Sequence, residues 1–369
     1  MHLLILTALY PPAVGGAATY FGDIVPRLAQ RPEITRLTVL TERLPGQPRR
    51  HVRGKLQVLR LLPTRVSLPR RPWPIHAATY GMTQLWFAVY LPAMVRRQGV
   101  DLIHFHTRYR GRLFYAALGR CGVPIVADLR DKMSDPAQLS RVADRLLCCA
   151  EGVQRFAVAH GFPAERTVLV PIPFTPPDVP SPQQVNAVRR QHGVGREPYL
   201  LFVGDMTYNK GVYDLLEAYH RWRPTHPQAH LLFVGVNREG DRFLRQVRQT
   251  AGAAYLGRLP HQEALALMRG AEVVVLPSRS EGLPRVILEA VALGTKVICP
   301  PGIPEFERHL AEDSLSNVSA DAILEKLNAL WESDRVPIYP FSEHDPDRVV
   351  EGLLEIYASF HKPLTAESS

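Results

Sequence analysis

Two glutamates, Glu281 and Glu289, flank the start of a predicted helix in the stretch EGLPRVILEA. An apolar strand, EVVVLP, ends just before them, and Pro284 suits the first turn of the helix that follows. The start of such a helix presents backbone N–H groups without intrahelical partners, which suits a phosphate or a diphosphate. One carboxylate is then placed for a sugar next to the phosphate, and the other for the hydroxyl groups of a ribose. In the alternative interpretation, Glu281 only favours the positive helix end and Glu289 is a surface residue.

Lys210 lies in a loop after the first strand of the second half of the chain. In YLLFVGDMTYNKGVYDLLEAY the strand ends at Gly204, and Lys210-Gly211 leads into an amphipathic helix. This order places the Lys210 ammonium at the same edge of the sheet as the glutamates, where it can balance the charge of a diphosphate. A solvated loop lysine is the alternative interpretation.

A glycine pair, Gly15-Gly16, follows the first strand of the chain in PPAVGGAATY. Glycines let the backbone approach a ligand closely, and a helix predicted from Thr19 supplies further amide groups. Because the spacing is not G-x-G-x-x-G, a nicotinamide dinucleotide site finds little support. A plain strand-to-helix turn is the alternative interpretation.

Short apolar runs alternate with helical patterns along the chain, which predicts parallel βαβ units with helices on both faces of each sheet. Six prolines between Pro171 and Pro182 interrupt this alternation, which then restarts. We therefore predict an α/β protein of two Rossmann-like domains that face one another across a cleft, since ligands bind beyond the carboxyl ends of parallel strands. The predicted domains are residues 1–175, residues 176–344, and a terminal helical segment, residues 345–369, that packs back on the first domain.

The three motifs, in this order and at this spacing, resemble the retaining glycosyltransferases of family 4, which have the GT-B fold. The resemblance covers nearly the whole chain: the glycine loop, G-x-x-x-x-x-K-G from Gly204 to Gly211, Glu-x7-Glu at Glu281 and Glu289, and the terminal VVEGLLEIY helix. Glu-x7-Glu is the specific part of this match, whereas a glycine loop alone is a weak signal.

The resemblance implies a nucleoside-diphosphate sugar as donor, bound mainly by the second domain. It implies that Glu289 holds the ribose hydroxyls, that Glu281 contacts the transferred sugar, and that Lys210 offsets the leaving-group charge. Glu281 and Lys210 are therefore the catalytic candidates. The further donor-binding candidates are Gly15, Gly16, Gly204, Gly282, Leu283, Pro284 and Arg285. Members of the family resemble one another in needing no divalent metal, because helix dipoles and basic side chains stabilise the departing diphosphate.

One departure from the family pattern lies in the second domain. The family commonly has an arginine after the strand-end glycine, where this chain has Asp205. A carboxylate facing a diphosphate is repulsive, so Asp205 is expected to point away or another arginine to compensate. The candidates are Arg258, Arg279 and Arg285.

A second departure lies in the first domain, where family members often carry His-Asp and this chain has Arg130-Asp131. Arg130 suggests an anionic or differently shaped acceptor. The acceptor-site candidates are His106, Arg130 and Asp131, although His104 and His106 at a strand end also suit a structural role.

The formal net charge of +9 is concentrated in one stretch, residues 43–76. This stretch has no Asp or Glu and nine basic residues: Arg43, Arg49, Arg50, Arg53, Lys55, Arg60, Arg65, Arg70 and Arg71. They are interleaved with Leu61, Leu62, Leu68 and Trp73. Basic residues with exposed apolar groups suit anionic lipid headgroups, at about 1 kcal/mol per Lys or Arg near the surface. A solvated, proline-broken loop is the alternative interpretation, and no motif for nucleic acid accompanies the charge.

Several classes of protein and site are disfavoured. The four cysteines, Cys121, Cys148, Cys149 and Cys299, lack metal-ligand spacing and indicate a reducing, cytosolic compartment. The opening MHLLILTALYPP suits a buried strand better than a signal peptide, and no apolar run approaches the roughly 18 residues that span a bilayer. Asp345-Pro346-Asp347 reads D-x-D but is expected to cap the terminal helix.

The sequence thus predicts a retaining hexosyltransferase without a metal cofactor, which moves a sugar from a nucleotide donor such as a UDP sugar to a glycan or lipid-linked acceptor. The expected setting is bacterial polysaccharide, lipopolysaccharide or glycolipid assembly, in the cytoplasm or on the inner face of its membrane. A non-catalytic sugar-nucleotide-binding subunit is the main alternative. A glycoside hydrolase also uses two carboxylates, but it is less favoured because it has no need for a helix start, a lysine and a glycine loop around a diphosphate.

Overall fold

The computed structural model describes residues 1–13, 15–63 and 73–360. The chain divides into two compact units: unit 1 is Met1–Phe174 with Ser342–Ser369, and unit 2 is Thr175–Phe341. Each unit contains a largely parallel sheet with helices, so the predicted α/β class with two Rossmann-like sheets is confirmed.

Unit 1 is built on an eight-stranded sheet in the order β3-β4-β2-β1-β5-β6-β7-β8. Its strands are β1 (His2–Leu6), β2 (Arg36–Glu42), β3 (Arg50–Arg53), β4 (Leu56–Leu62), β5 (Leu102–His106), β6 (Ile125–Leu129), β7 (Arg145–Cys148) and β8 (Thr167–Leu169). Its helices before unit 2 are α1 (Gly16–Gln30), α2 (Trp73–Gln98), α3 (Arg112–Gly119), α4 (Pro136–Leu139) and α5 (Glu151–Ala159). Only β3, which pairs with β4, is antiparallel. Every residue of β1, β5 and β6 is buried, as expected for parallel strands covered on both faces.

Unit 2 is built on a five-stranded parallel sheet in the order β11-β10-β9-β12-β13. Its strands are β9 (Tyr199–Val203), β10 (His230–Val234), β11 (Ala253–Gly257), β12 (Val273–Val275) and β13 (Lys296–Ile298). Its helices are α6 (Pro182–Gln191), α7 (Val212–Trp222), α8 (Asp241–Gln249), α9 (His261–Arg269), α10 (Arg285–Ala292), α11 (Pro304–His309) and α12 (Ala320–Trp331).

The last helix, α13 (Pro346–Ala358), belongs to unit 1 and packs beside α1. Leu353 and Tyr357 of α13 share one buried core with Phe21 of α1 and with the sheet. The Asp345 carboxylate accepts two first-turn N–H groups of α13, both at 3.0 Å. The expected capping role of Asp345 is therefore confirmed.

The structure corrects the interpretation of the basic stretch, residues 43–76. Within its described part, residues 50–62 form the β3–β4 hairpin, in which Leu62 is fully buried and Arg60 is 5% exposed. The Arg60 guanidinium donates to the carbonyl of Pro11 at 2.6 Å, and burial lowers its pKa. The expectations that Leu62 is an exposed apolar group and that Arg60 is open to a lipid surface are thus wrong, because β4 is an inner strand of the sheet. Arg65, Leu68, Arg70 and Arg71 lie outside the described residues.

Candidate functional site

The sheet order of unit 2 brings together two loops that carry predicted site residues. Lys210 follows β9, Glu281 follows β12, and these two strands are parallel neighbours. The Lys210 ammonium donates to the Glu281 carboxylate in an ion pair whose side chains are 28% and 11% exposed. The two residues predicted from separate motifs therefore lie side by side, with a partly shielded positive charge beside a carboxylate.

A glycine and an arginine hold these two loops together. A Cβ at Gly211 would lie 2.1 Å from the carbonyl oxygen of Pro277, and the Gly211 φ of 69° disfavours other residues, so the contact requires glycine. Arg279 pairs with Asp214 at 2.8 Å and donates to the carbonyl of Tyr208 at 2.7 Å. Its guanidinium also lies 3.9 Å from the centre of the Tyr208 ring. The position of Lys210 is thus fixed by contacts on both sides of the loop pair.

Helix α10 begins at Arg285, directly after the loop that carries Glu281, Gly282 and the buried Leu283. The sequence predicted that Pro284 lies in the first turn of this helix. In the structure it is instead the N-cap residue, in an extended conformation. Proline offers no side-chain acceptor to cap the helix, and the Ile287 N–H donates to the Pro284 carbonyl at 3.1 Å. The helix start is suited to bind an anion beside Lys210.

Glu289 lies in the second turn of α10, and its side chain is only 14% exposed. It accepts a hydrogen bond from His261 Nε2 at 3.0 Å, at the first residue of α9. This hydrogen bond raises the pKa of His261, although burial and Arg285 oppose the shift. The contact with His261 thus fixes the position of the Glu289 carboxylate, whose oxygens can also accept hydrogen bonds from hydroxyl groups.

Asp205 is paired with Arg238, whose Nε lies 3.0 Å from the carboxylate. Arg238 was not among the three arginines that the sequence suggested, and Arg279 is engaged by Asp214. The signal that could have found Arg238 is its place after β10, the strand next to β9 in the sheet. Because Arg238 compensates the Asp205 charge, repulsion of an anion by this carboxylate is reduced.

In unit 1, the glycine pair forms the start of α1. Gly15 is the N-cap with a φ of 138°, and Gly16 is the first helical residue, with no atom within 4 Å of an added Cβ. The first-turn N–H groups of α1, like those of any helix, have no partner within the helix. Gly15 has no side chain that could cap them.

The second predicted group in unit 1 is a buried network around Arg130. Its Nη2 donates to Asp128 Oδ2 at 3.0 Å, its Nε lies 3.0 Å from Oδ1, and the guanidinium lies 3.1 Å from the centre of the Tyr20 ring. His104 Nε2 lies 3.2 Å from the same carboxylate, and His104 Nδ1 lies 2.7 Å from the Tyr357 hydroxyl. Burial opposes ionisation of Asp128, but Arg130 and His104 hold its pKa well below the usual range. We name Tyr20, His104, Asp128, Arg130 and Tyr357 the Arg130 cluster.

The remaining acceptor candidates occupy different surroundings. His106, at the end of β5, is 7% exposed, and burial lowers its pKa to about 4, so the ring is neutral at pH 7. Among the described residues its Nδ1 has no hydrogen-bond partner. Asp131 is exposed and accepts the N–H of Met133 at 2.9 Å, which closes a local turn. The sequence analysis did not single out Asp128, which neutralises Arg130, or Tyr357, whose hydroxyl contacts His104.

The described residues lack two features, a metal-binding cluster and a membrane-spanning helix. Over residues 1–13, 15–63 and 73–360, no group of three or more His, Cys, Asp or Glu is arranged to hold a metal ion. Within the same ranges, none of the helices has the length and apolar character needed to cross a membrane.

Comparison with known proteins places the chain in a family. A model described as Glycosyltransferase Family 4 matches residues 14–174, and one described as Glycosyl transferases group 1 matches residues 184–338. Glycogen synthase of Mycobacterium tuberculosis (strain CDC 1551 / Oshkosh) is 39% identical over 102 residues, which cover 27% of this chain and only 25% of that protein. The chain therefore spans about a quarter of that relative's length. The 2-deoxystreptamine N-acetyl-D-glucosaminyltransferase of Streptomyces fradiae is 28% identical over 323 residues, or 77% of this chain and 74% of that one.

Solved structures agree on the fold. Anabaena HepE in complex with UDP and glucose has a TM-score of 0.71 at 18% identity, and the match covers 97% of this chain and all of that one. Together the two family models span most of both units, and they meet near the boundary between them. The chain belongs to the family 4 glycosyltransferases of the GT-B fold.

Proposed function

We propose that this protein is a retaining, metal-independent hexosyltransferase that uses a nucleoside-diphosphate sugar as donor. The acceptor is a glycan or a lipid-linked glycan, in bacterial polysaccharide, lipopolysaccharide or glycolipid assembly on the cytoplasmic face of the membrane. The observation that carries this proposal is the pairing of Lys210 with Glu281 beside the uncapped start of α10, with Glu289 one turn further along. UDP is the first nucleotide to try, since HepE was solved with UDP and glucose.

Each group has a role that its chemistry supports. The first-turn N–H groups of α10, with Gly282 and Leu283 before them, bind the diphosphate, and Lys210 neutralises the charge that develops on it. Glu289 accepts hydrogen bonds from the ribose, and Glu281 from the hydroxyls of the transferred sugar. Gly204 lets the backbone after β9 approach the same ligand, because it has no side chain. In unit 1, the N–H groups at Gly15 and Gly16 bind phosphate in the same manner.

The reaction exchanges one bond at the anomeric carbon for another. The bond from this carbon to the diphosphate oxygen breaks, and the electron pair leaves with the diphosphate, which Lys210 stabilises. The acceptor hydroxyl forms the new bond on the same face of the sugar, which retains the configuration. Its proton passes to an oxygen of the departing phosphate, so no protein base is required.

In unit 1, His106, Arg130 and Asp131 are assigned to acceptor binding. The Arg130 charge is matched by Asp128, so this group offers directed N–H donors rather than net positive charge. Association with an anionic membrane surface is assigned to residues 43–76, of which Arg50 and Arg53 on β3 are exposed.

A thermal-shift screen with UDP, GDP, ADP and their common sugars tests the donor assignment, because a ligand that binds only the folded state raises Tm. One nucleotide family is expected to stabilise the protein and the others not. No shift or titration heat with any of them, or hydrolysis of a simple aryl glycoside without nucleotide, would reject the proposal.

Glu281→Gln tests the catalytic assignment. We expect kcat to fall by about 10²-fold, on the order of a lost transition-state contact, while the Kd for the nucleotide alone stays unchanged. Glu332→Gln, an exposed glutamate of unit 2, is the matched control and should leave both values unchanged. Equal kcat in the two variants would remove Glu281 from the mechanism.

A further inference from the structure

The helix α2 turns an apolar stripe outward. Met82, Leu85 and Val89 are 54%, 58% and 62% exposed, and Tyr90 is 57% exposed. With the exposed Ala78 they recur at helical spacing, so they lie along one side of the helix. Four large exposed side chains on three turns of one helix form a contiguous patch rather than scattered surface residues.

Three polar side chains in the middle of α2 are buried against the protein. Thr79, Thr83 and Gln84 are at most 5% exposed. Thr83 donates to the carbonyl of Thr79 at 2.8 Å, and Gln84 donates to the carbonyl of Arg110 at 3.0 Å. The inward side of α2 also buries Phe87, Leu91 and Val95, so the helix carries apolar side chains both towards the protein and on its exposed side.

The stretch of sequence that contains this stripe carries positive charge only. Residues 43–100 contain no Asp or Glu and eleven basic residues, of which Arg96 and Arg97 end α2. Exposed arginines also flank the helix from the neighbouring segment: Arg110, Arg112 and Arg120. Arg120 donates to the carbonyl of Ala88 at 2.6 Å, which places its charge against the middle of α2. Trp86 and Tyr90, whose ring centres are 5.6 Å apart, add aromatic groups that favour a membrane interface.

We propose that the stripe formed by Ala78, Met82, Leu85 and Val89, with its arginine rim, docks this protein on an anionic lipid bilayer. Apolar side chains enter the boundary between headgroups and acyl chains while the rim arginines bind lipid phosphates. A second copy of this chain fits less well, because pairing two such faces brings the basic rims together. The inference rests on the proposed location at a membrane face, and it adds to the basic charge of residues 43–76 an apolar contact made by α2.

Vesicle co-sedimentation of the full chain tests the assignment, using phosphatidylglycerol mixed with phosphatidylcholine and phosphatidylcholine alone. The wild type is expected to sediment with the anionic vesicles only. Leu85→Glu/Val89→Glu is expected to weaken this binding by at least about tenfold, since each change removes an inserting group and adds repulsion. The matched control is Val336→Glu/Ile338→Glu in unit 2, where the residues are 60% and 80% exposed. It lowers the net charge equally and should sediment like the wild type.

A second pair of variants separates this inference from the proposed function. Arg50→Gln/Arg53→Gln removes charges of β3 and leaves α2 intact. If this variant is released and the α2 variant stays bound, the α2 inference is overturned while membrane association stands. If the wild type does not bind anionic vesicles, or forms a dimer that Leu85→Glu/Val89→Glu dissociates, the bilayer is not the occupant. Nucleotide binding, measured without vesicles, tests the transferase proposal independently.

Val89→Trp keeps the test decisive if the double glutamate variant does not fold. An exposed tryptophan adds interfacial area without adding charge, so binding to anionic vesicles is expected to strengthen. Unchanged binding of a folded Val89→Trp protein would count against α2 as the docking face.

Discussion

Lys210 and Glu289 each already have a hydrogen-bonding partner, and this shapes how a donor can bind. Lys210 is paired with Glu281, and Glu289 with His261. A diphosphate that approaches Lys210 replaces one anionic partner by another, so the ammonium keeps its charge compensated throughout. Glu281 is then released to accept hydrogen bonds from a sugar. The contact between Lys210 and Glu281 thus orients both side chains before the donor arrives, which lowers the cost of reorganisation.

The pairing of His261 with Glu289 predicts a pH dependence. The folded-state pKa of His261 is raised, so the pair contributes stability that is fully present below about pH 6.5 and is lost as pH rises through the folded pKa. Protonated His261 competes with the ribose for Glu289. We therefore expect the Kd for the nucleotide sugar to be about threefold weaker at pH 6 than at pH 8, a modest effect because His261 is 63% exposed.

Titration calorimetry across this pH range measures the effect, and His261→Gln is the comparison. Glutamine keeps a hydrogen-bond donor but cannot be charged, so the variant should show a flatter profile. The same slope in wild type and variant would show that another group titrates.

At the level of elements, parallel strand order does most of the positioning. The loops after β9, β10 and β12 meet because β10 and β12 lie on either side of β9 in the sheet. This arrangement joins Lys210 to Glu281 and Asp205 to Arg238. The loops touch closely enough that backbone conformation becomes part of the site, as Gly211 against Pro277 shows.

Gly211→Ala tests this contact. The added Cβ meets the Pro277 carbonyl at 2.1 Å, so the β9 and β12 loops must separate and donor affinity should fall at least about tenfold. Gly193→Ala is the control, because its φ of 66° matches that of Gly211 while no atom lies within 4 Å of the added Cβ. Both variants carry the left-handed strain, so equal donor affinities would show that the loop contact does not matter.

Tyr357→Phe tests how α13 is tied to unit 1. The change removes the hydroxyl 2.7 Å from His104 Nδ1 and leaves a buried polar atom unsatisfied, at a cost of about 1–3 kcal/mol in unfolding free energy. A lower Tm is expected than for Tyr90→Phe, where the hydroxyl-bearing ring is 57% exposed. Equal Tm values would mean that the His104 hydrogen bond contributes nothing to stability.

The sequence predicted those elements that have strong apolar runs or clear helical periodicity. The apolar run LQVLRLL predicts a strand at the residues of β4 (Leu56–Leu62), and the amphipathic pattern VYDLLEAYHRW predicts a helix at about the residues of α7 (Val212–Trp222). β3 was missed because its four residues, RHVR, are all exposed and form an edge strand that only pairing with β4 reveals. β7 and β8 were missed because four and three residues are too few to show a period.

The candidate site was predictable where a motif lies within one loop and helix, as for Glu281 and Glu289. Contacts between distant segments were not. His261 and Glu289 are joined across two helices, and Tyr357 reaches His104 from the other end of the chain. No spacing along the sequence encodes such pairs, because they depend on how the elements pack.

On the scale of the whole molecule, charge and burial are distributed differently in the two units. Unit 2 carries Lys210, Glu281 and Glu289, each with a compensating partner in the same unit. Unit 1 carries the acid-free stretch, residues 43–100, and the buried Arg130 cluster. In the proposed function, most donor contacts therefore belong to unit 2, with Gly15 and Gly16 added from unit 1, and the contacts with the acceptor and with a lipid surface belong to unit 1.

A crystal structure of the protein with the nucleotide sugar selected by the thermal-shift screen tests the central claim most directly. The account predicts the diphosphate at the start of α10 within hydrogen-bonding distance of Lys210, the ribose hydroxyls on Glu289, and the sugar beside Glu281. A nucleotide bound elsewhere in the protein, or one that occupies this place without contacting Glu289 and Lys210, would contradict it.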